Sequence, residues 1–134
     1  MVWNFSDLPL ISRETVALKL KGIDLSKSPG PFDPPMKIVK YFAEQLSVPL
    51  TDIINSSFQD KCFGDIWKAY YICPITKTNP CTTVENIMPN ALTSVFSKIQ
   101  ESFALDWMLK DSKNKISKCQ FGGISGSSAV LALL

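Results

Sequence analysis

The 134-residue chain contains no histidine, and Arg13 is the single arginine among its 14 basic residues. Without an imidazole, Ser-His and Cys-His nucleophile pairs and the usual His-ligated metal sites are excluded. With one guanidinium, bidentate recognition of phosphate or guanine has almost no candidates. The formal net charge of +2 permits nucleic-acid binding but does not identify it.

Long apolar runs and paired cysteines are missing as well. No stretch approaches the roughly 18 consecutive apolar residues of a membrane-spanning helix, and the first ten residues do not resemble a signal peptide. No two of the four cysteines form a CxxC pair: Cys62, Cys73, Cys81 and Cys119. We therefore expect an intracellular protein, in the cytoplasm or nucleus, with no membrane segment and no disulfide partner.

Apolar residues at three- and four-residue steps predict helices in the first half of the chain. Ser12 can cap a helix that ends near Gly22, and Pro35 suits the first position of the next helix. Residues 27–35 hold four of the nine prolines and predict a loop. Pro49 predicts a break, so that two helices meet at an angle. The predicted apolar positions are Val16, Leu18, Leu20 and Ile23, then Ile38, Phe42, Ala43 and Leu46, and finally Leu50, Ile53, Ile54 and Phe58.

A β-hairpin is predicted in the middle of the chain. The apolar run over residues 66–75 predicts a strand covered on both faces, and Pro74 places its end at an edge. Residues 84–92 can return as its partner after a polar turn. Ser94 then caps a long helix with four apolar residues at helical spacing, namely Phe96, Ile99, Phe103 and Trp107. This order of elements predicts a helix-rich α+β unit.

For several polar and aromatic residues, the sequence is compatible with a purely structural role as well as with a role in ligand binding. Lys77 alone would be a solvated turn lysine, and Trp67 a core residue, whereas Tyr70 and Tyr71 could stack on bases. The lysines of residues 110–118 either follow a nucleic-acid backbone or form a solvated linker, and both readings stay open. The carboxylates lack metal-motif spacing, so we predict capping roles and no metal site for Asp24, Asp33, Asp52, Asp60 and Asp65.

Five segments, in order, resemble one known family: SKSPGPFDPP, KIVKYFAEQLSVPLTDIINSSF, WKAYYICPITKTNP, ALTSVFSKIQE and QFGGISGSSAVLAL. The family is the reverse transcriptases (RNA-directed DNA polymerases) of non-LTR, LINE-type retrotransposons, and the similar portion precedes the catalytic palm. The resemblance implies the helix-rich fingers portion of a right-hand polymerase, α+β with a short β-hairpin and truncated before the palm. Residues 1–134 would then be a partial domain: an extension (1–11), fingers (12–109), and a linker with the start of a palm helix (110–134).

The same resemblance implies partners and binding residues. The intact family binds an RNA template, a DNA primer and a deoxynucleotide, with Mg²⁺ as cofactor; no cofactor is expected in this chain. Lys77 matches a fingers lysine near the triphosphate, where a compact charge suits phosphate oxygens. The loop from Ser28 to Pro31 would lie near template or nucleotide. The remaining positions carried over for nucleotide or template are Gln120, Phe121, Gly122 and Gly123.

Two departures from the family pattern bear on activity. Met88 stands where the family has an arginine that contacts nucleotide phosphates, and a thioether cannot replace its donors. The carboxylates that hold two Mg²⁺ ions in the family lie downstream of Leu134, so we expect no catalytic residue here and no polymerase activity from this chain alone. The alternatives are a non-catalytic module that binds RNA or single-stranded nucleic acid, and a retrotransposon relic without function.

Overall fold

A computed structural model describes residues 9–80 and 83–112 continuously, and beyond them residues 115–117, 119, 120, 122, 123, 126, 128 and 130. The chain divides after Glu101 into two compact units. The elements are α1 (Arg13–Lys21), α2 (Met36–Tyr41), α3 (Ala43–Asp60), β1 (Tyr70–Thr76), β2 (Ile87–Thr93) and α4 (Val95–Ser112). Within the described residues, four α-helices and one antiparallel strand pair confirm the predicted α+β class.

Helix α1 begins and ends where the sequence predicts. The Ser12 hydroxyl caps it by accepting the Thr15 N–H at 3.3 Å, and the helix stops at Gly22. Val16 and Leu20 are fully buried, but Leu18 is 68% exposed. The prediction for Leu18 is wrong because the buried stripe of a helix repeats every three or four residues, which selects Ala17 instead.

The break between α2 and α3 lies at Phe42, not at Pro49. Phe42 has φ −94° and ψ 25°, outside the helical region, whereas Pro49 sits inside α3. An interior proline costs about 3 kcal/mol, because it removes one backbone hydrogen bond and crowds the preceding turn. Helix α3 continues through it since Leu50, directly after the proline, and Ile54, one turn later, are buried, and α1 packs against α3. Packing here outweighs the local preference.

One buried stripe runs through α2 and α3 despite the break. Its members follow each other at steps of one, three or four residues: Met36, Val39, Ala43, Ser47, Leu50, Thr51 and Ile54. The buried hydroxyls of Ser47 and Thr51 are satisfied by the carbonyl oxygens of Glu44 and Ser47. Of the predicted apolar positions, Ala43, Leu50 and Ile54 are confirmed as buried, whereas Ile38, Phe42 and Ile53 are about half exposed.

The hairpin is confirmed, but its predicted environment is wrong. A 3-10 turn occupies Asp65–Lys68, so the strand begins later than predicted, at Tyr70. Every residue of β1 is exposed, and β2 is its one partner in the described sheet. An apolar run shows that a strand favours burial but does not show what would cover it. Trp67, predicted to be a core strand residue, is half-buried in the 3-10 turn.

Candidate nucleic-acid interface

The strand register fixes which hairpin side chains share a face. Strands β1 and β2 pair in antiparallel register, with Tyr70 opposite Thr93 and Thr76 opposite Ile87. Side chains alternate between the faces along a strand, and opposite residues lie on the same face. One face therefore carries Tyr71, Cys73, Ile75, Met88, Asn90 and Leu92, and the other carries Tyr70, Ile72, Pro74, Thr76, Ile87, Pro89, Ala91 and Thr93.

Lys77 directly follows β1 and extends the first of these faces. Its backbone N–H donates to the Asn86 carbonyl oxygen at 2.7 Å, so the ladder continues through this residue. Its ammonium donates to the carbonyl oxygen of Glu85 at 3.3 Å and stays exposed. Lys77 is thus a surface cation anchored by backbone at the turn end of the hairpin.

Met88 lies on the same face as Lys77. It pairs with Ile75, two residues before Lys77 along β1, and is 49% exposed. An arginine at position 88 would therefore be a diagonal neighbour of the Lys77 ammonium, within reach of a common anionic group. The sequence alone gives no register and could not have established this proximity.

Tyr70 and Tyr71 point to opposite faces of the hairpin and are 55% and 58% exposed. Exposed aromatic rings are the usual stacking surfaces for bases of single strands. Trp67, just before β1, instead contacts Phe63 edge to face, with ring centroids 6.0 Å apart.

Two prolines block both outer edges of the hairpin. Because Lys77 and Asn86 form a hydrogen-bonded pair, the alternation of an antiparallel ladder makes Pro74 and Pro89 a non-hydrogen-bonded pair. Backbone nitrogens of such a pair face outward, so the prolines remove an edge donor from each strand without weakening the ladder. A partner strand therefore meets an interrupted edge on either side, and the faces are the better binding surfaces.

The loop of residues 27–35 packs against the junction of β2 and α4. A Cβ atom on Gly30 would lie 2.4–2.5 Å from backbone atoms of Thr93 and Ser94, so no side chain fits there. The Asp33 carboxylate accepts the N–H groups of Gly30 and Val95 at 2.9 and 2.8 Å and the Ser94 hydroxyl at 2.5 Å. The first helical N–H of α4 is thus capped by a residue far away in sequence.

Ser94 caps α4 as predicted, since its hydroxyl oxygen accepts the Phe96 N–H at 3.2 Å. Beside this junction is a cavity of about 180 Å³, lined in part by Lys27, Ser28 and Lys98. Asp24 and Asp33 also line it, so the two ammonium groups are balanced by two carboxylates. The charges that line this cavity therefore give no reason to expect an anion there.

The capping roles predicted for Asp24 and Asp33 are confirmed. The Asp24 carboxylate accepts hydrogen bonds from the Ser26 backbone N–H at 2.9 Å and from the Ser26 hydroxyl at 2.7 Å. These bonds hold the pKa of the Asp24 carboxyl below its ordinary value. Both carboxylates therefore already accept hydrogen bonds from donors of the protein, Asp24 from Ser26 and Asp33 from Gly30, Ser94 and Val95. Across the described positions no three His, Cys, Asp or Glu side chains cluster as metal ligands.

The glycine-rich segment near the end of the chain belongs to the second unit. Gln120 donates from its side-chain amide to the Gly122 carbonyl oxygen at 2.8 Å, and Gly123 has φ +76°, which favours glycine. Phe121 lies outside the described residues, as do Lys113 and Lys118 of the predicted linker. Lys115, within the predicted linker, pairs with Asp111 at 2.8 Å.

None of the helices in the described part of the chain combines the length and apolar character needed to cross a bilayer. Comparison with protein-family models, curated proteins and solved structures finds no match for this chain.

Proposed function

We propose that this chain is the fingers portion of a LINE-type reverse transcriptase, that it binds single-stranded RNA or a primer–template through its hairpin, and that it does not polymerise DNA alone. The observation that carries the proposal is the exposed hairpin face that places position 88 diagonal to Lys77. These are the two positions that the family resemblance associates with nucleotide phosphates. Their shared face supports a common ligand.

The loop–helix junction adds independent support. The SKSPGPFDPP and ALTSVFSKIQE segments were recognised separately in the sequence, and Asp33 joins them by hydrogen bonds to Ser94 and Val95. The two segments that carry the resemblance therefore form one structural unit next to the hairpin.

Salt-dependent binding tests the proposal. Fluorescence anisotropy with a labelled 20-nucleotide RNA, from low to moderate salt, measures the affinity and its salt slope. Lys77→Ala should weaken binding by about threefold to tenfold and reduce the slope by about one, since one phosphate contact is lost. Lys77→Arg should retain most of the affinity. Lys37→Ala, which removes an exposed lysine of α2, is the matched control and should change little.

Two results would contradict the proposal: no RNA binding at low salt, or equal losses for Lys77→Ala and Lys37→Ala. A primer-extension assay with Mg²⁺ and deoxynucleotides tests inactivity separately. We expect no extended product, because no set of described acidic residues matches the two-metal site. Extension by the purified chain would overturn this part of the proposal.

The exposed tyrosines favour a second candidate, a non-catalytic module that binds single strands by stacking. Such a module would bind RNA with the same affinity whether or not primer and deoxynucleotide are present. Loss of binding in Tyr71→Ala but not in Lys77→Ala would favour it, since stacking contributes about 1–3 kcal/mol per base.

A further inference from the structure

The hairpin face that extends to Lys77 carries two rows of large side chains. Tyr71 lies opposite Leu92, and Ile75 lies opposite Met88, so each pair forms one row across both strands. The Cα atoms of the two rows are separated by roughly 13 Å along β1, at the usual rise of a strand. Tyr71, Ile75 and Met88 are each about half exposed, so both rows project into solvent.

Cys73 and Asn90 lie opposite each other between the two rows. Their side chains are shorter than those of the rows and are exposed, so they form the floor of an open slot, the hairpin slot. Stacked bases lie about 3.4 Å apart, and the slot is therefore wide enough to accept one base beside the Tyr71 ring.

A base in the hairpin slot would present one edge to Asn90. Side chains stand roughly perpendicular to a sheet, so a base that stacks on the Tyr71 ring also stands upright, with an edge against the floor. The Asn90 amide offers an N–H donor beside a carbonyl acceptor. Adenine complements this pair with its N7 acceptor and its N6 amino donor, whereas the same edge of guanine carries two acceptors, N7 and O6.

We propose that the hairpin slot binds an adenine base of single-stranded RNA, with the base stacked on Tyr71 and its N6 and N7 positions hydrogen-bonded to Asn90. Lys77, on the same face beyond the second row, then meets a backbone phosphate of the same strand. Neither β1 nor β2 contains an acidic residue, so neither strand repels that phosphate. Asn90 determines the base preference, whereas Tyr71 and Lys77 bind any sequence. The inference rests on the RNA binding proposed above.

Short RNAs made of adenosine or of purine riboside test the preference, because purine riboside keeps the ring system and N7 but lacks the N6 amino group. Fluorescence anisotropy at low salt should show the adenosine RNA binding about fivefold to tenfold more tightly. Asn90→Leu removes the acceptor for the amino group and should abolish this preference. Ala91→Leu adds the same side chain to the opposite face of β2 and should retain it.

Two further measurements do not depend on the stability of Asn90→Leu. Asn90→Asp keeps an acceptor for the amino group, so it should retain the preference for adenosine RNA while its negative charge weakens binding of both RNAs. In the unaltered chain, the side-chain amide resonances of Asn90 should shift with adenosine RNA and much less with 7-deazaadenosine RNA, which lacks N7.

The outcomes separate this inference from the function on which it rests. Equal affinity for adenosine and purine riboside RNA, equal preference in Asn90→Leu and Ala91→Leu, or unmoved Asn90 resonances would overturn the adenine site and leave RNA binding by the hairpin in place. No binding of either RNA at low salt would overturn both.

Discussion

Asp33 and Val95 are 62 positions apart, and the Asp33 carboxylate accepts the Val95 N–H at 2.8 Å. The same oxygen accepts the N–H of Gly30 at 2.9 Å, and the other oxygen accepts the Ser94 hydroxyl. One side chain therefore closes the proline-rich loop and starts the helix that follows the hairpin. The arrangement leads to two predictions on stability.

Asp33→Ala should lower the free energy of unfolding by about 1–3 kcal/mol, because it removes a helix cap and leaves partly buried donors unpaired. Asp33→Asn keeps an acceptor oxygen and should lose less. Urea denaturation followed by circular dichroism measures both. Asp60→Ala, an exposed acid at the end of α3, should change stability by less than about 0.5 kcal/mol. Equal effects at positions 33 and 60 would contradict the assigned cap.

Gly30→Ala should destabilise the fold by about 3 kcal/mol, since the added methyl group would meet backbone atoms of Thr93 and Ser94 that cannot move independently. Gly64→Ala is the matched control, because its Cβ would have one neighbour, a Trp67 ring carbon at 4.0 Å. Thermal unfolding of both variants gives the comparison. A stable Gly30→Ala protein would show that the loop does not pack closely on the β2–α4 junction.

The Asp24–Ser26 turn should make stability depend on acid pH. The backbone N–H of Ser26 and then its hydroxyl lower the pKa of Asp24 in the folded chain. A carboxyl group whose pKa is lowered stabilises the folded state above its unfolded pKa, and this contribution is lost as pH falls through the folded value. Asp24→Asn should therefore be less stable at neutral pH and match the unaltered chain at low pH.

Carboxyl ¹³C NMR titration measures the same effect directly. Ser26→Ala removes the hydroxyl but keeps the backbone donor, so the pKa of Asp24 should rise only part of the way to its ordinary value. Ser28→Ala, two residues after this turn, should leave the Asp24 titration unchanged. A pKa for Asp24 that does not move in Ser26→Ala would contradict the role given to the hydroxyl.

Met88→Arg should tighten RNA binding by about threefold to tenfold and increase the salt slope by about one, because the guanidinium would join Lys77 on one face. Ala91→Arg adds the same charge to the opposite face of the same strand and serves as control. In the Lys77→Ala background the gain from Met88→Arg should shrink, whereas that from Ala91→Arg should not. Equal gains from both arginines would show that binding responds to net charge only.

Local signals predicted the elements well. Ser12 and Ser94 mark the starts of α1 and α4, because a hydroxyl before an apolar periodic segment caps a helix whatever surrounds it. The hairpin followed from two β-prone runs around a polar turn. The predicted capping role of Asp33 was correct, but its partner Val95 could not be predicted, because no local sequence pattern indicates a contact across 62 positions.

Packing decided the features that local signals missed. Pro49 is a strong helix-breaking signal, yet α3 continues because residues on both sides of it are buried, Ala43 and Ser47 before it and Leu50 and Ile54 after it. The apolar character of β1 predicted cover on both faces, and the described residues leave it exposed. The hydrogen bonds from the Gln100 amide to the Ser57 hydroxyl and from that hydroxyl to the Cys62 carbonyl oxygen had no sequence signal. They join residues from two separate segments.

The cap from Asp33 also bears on the order of folding. The first N–H group of α4, that of Val95, gains its side-chain acceptor only after residues 33 and 95 have met, and closing so long a stretch of chain is slow compared with local helix formation. The first turn of α4 should therefore become ordered late, together with the proline-rich loop, while α1 can nucleate on its own Ser12. In a kinetic experiment, substitutions at Asp33 should accelerate unfolding and leave the refolding rate nearly unchanged.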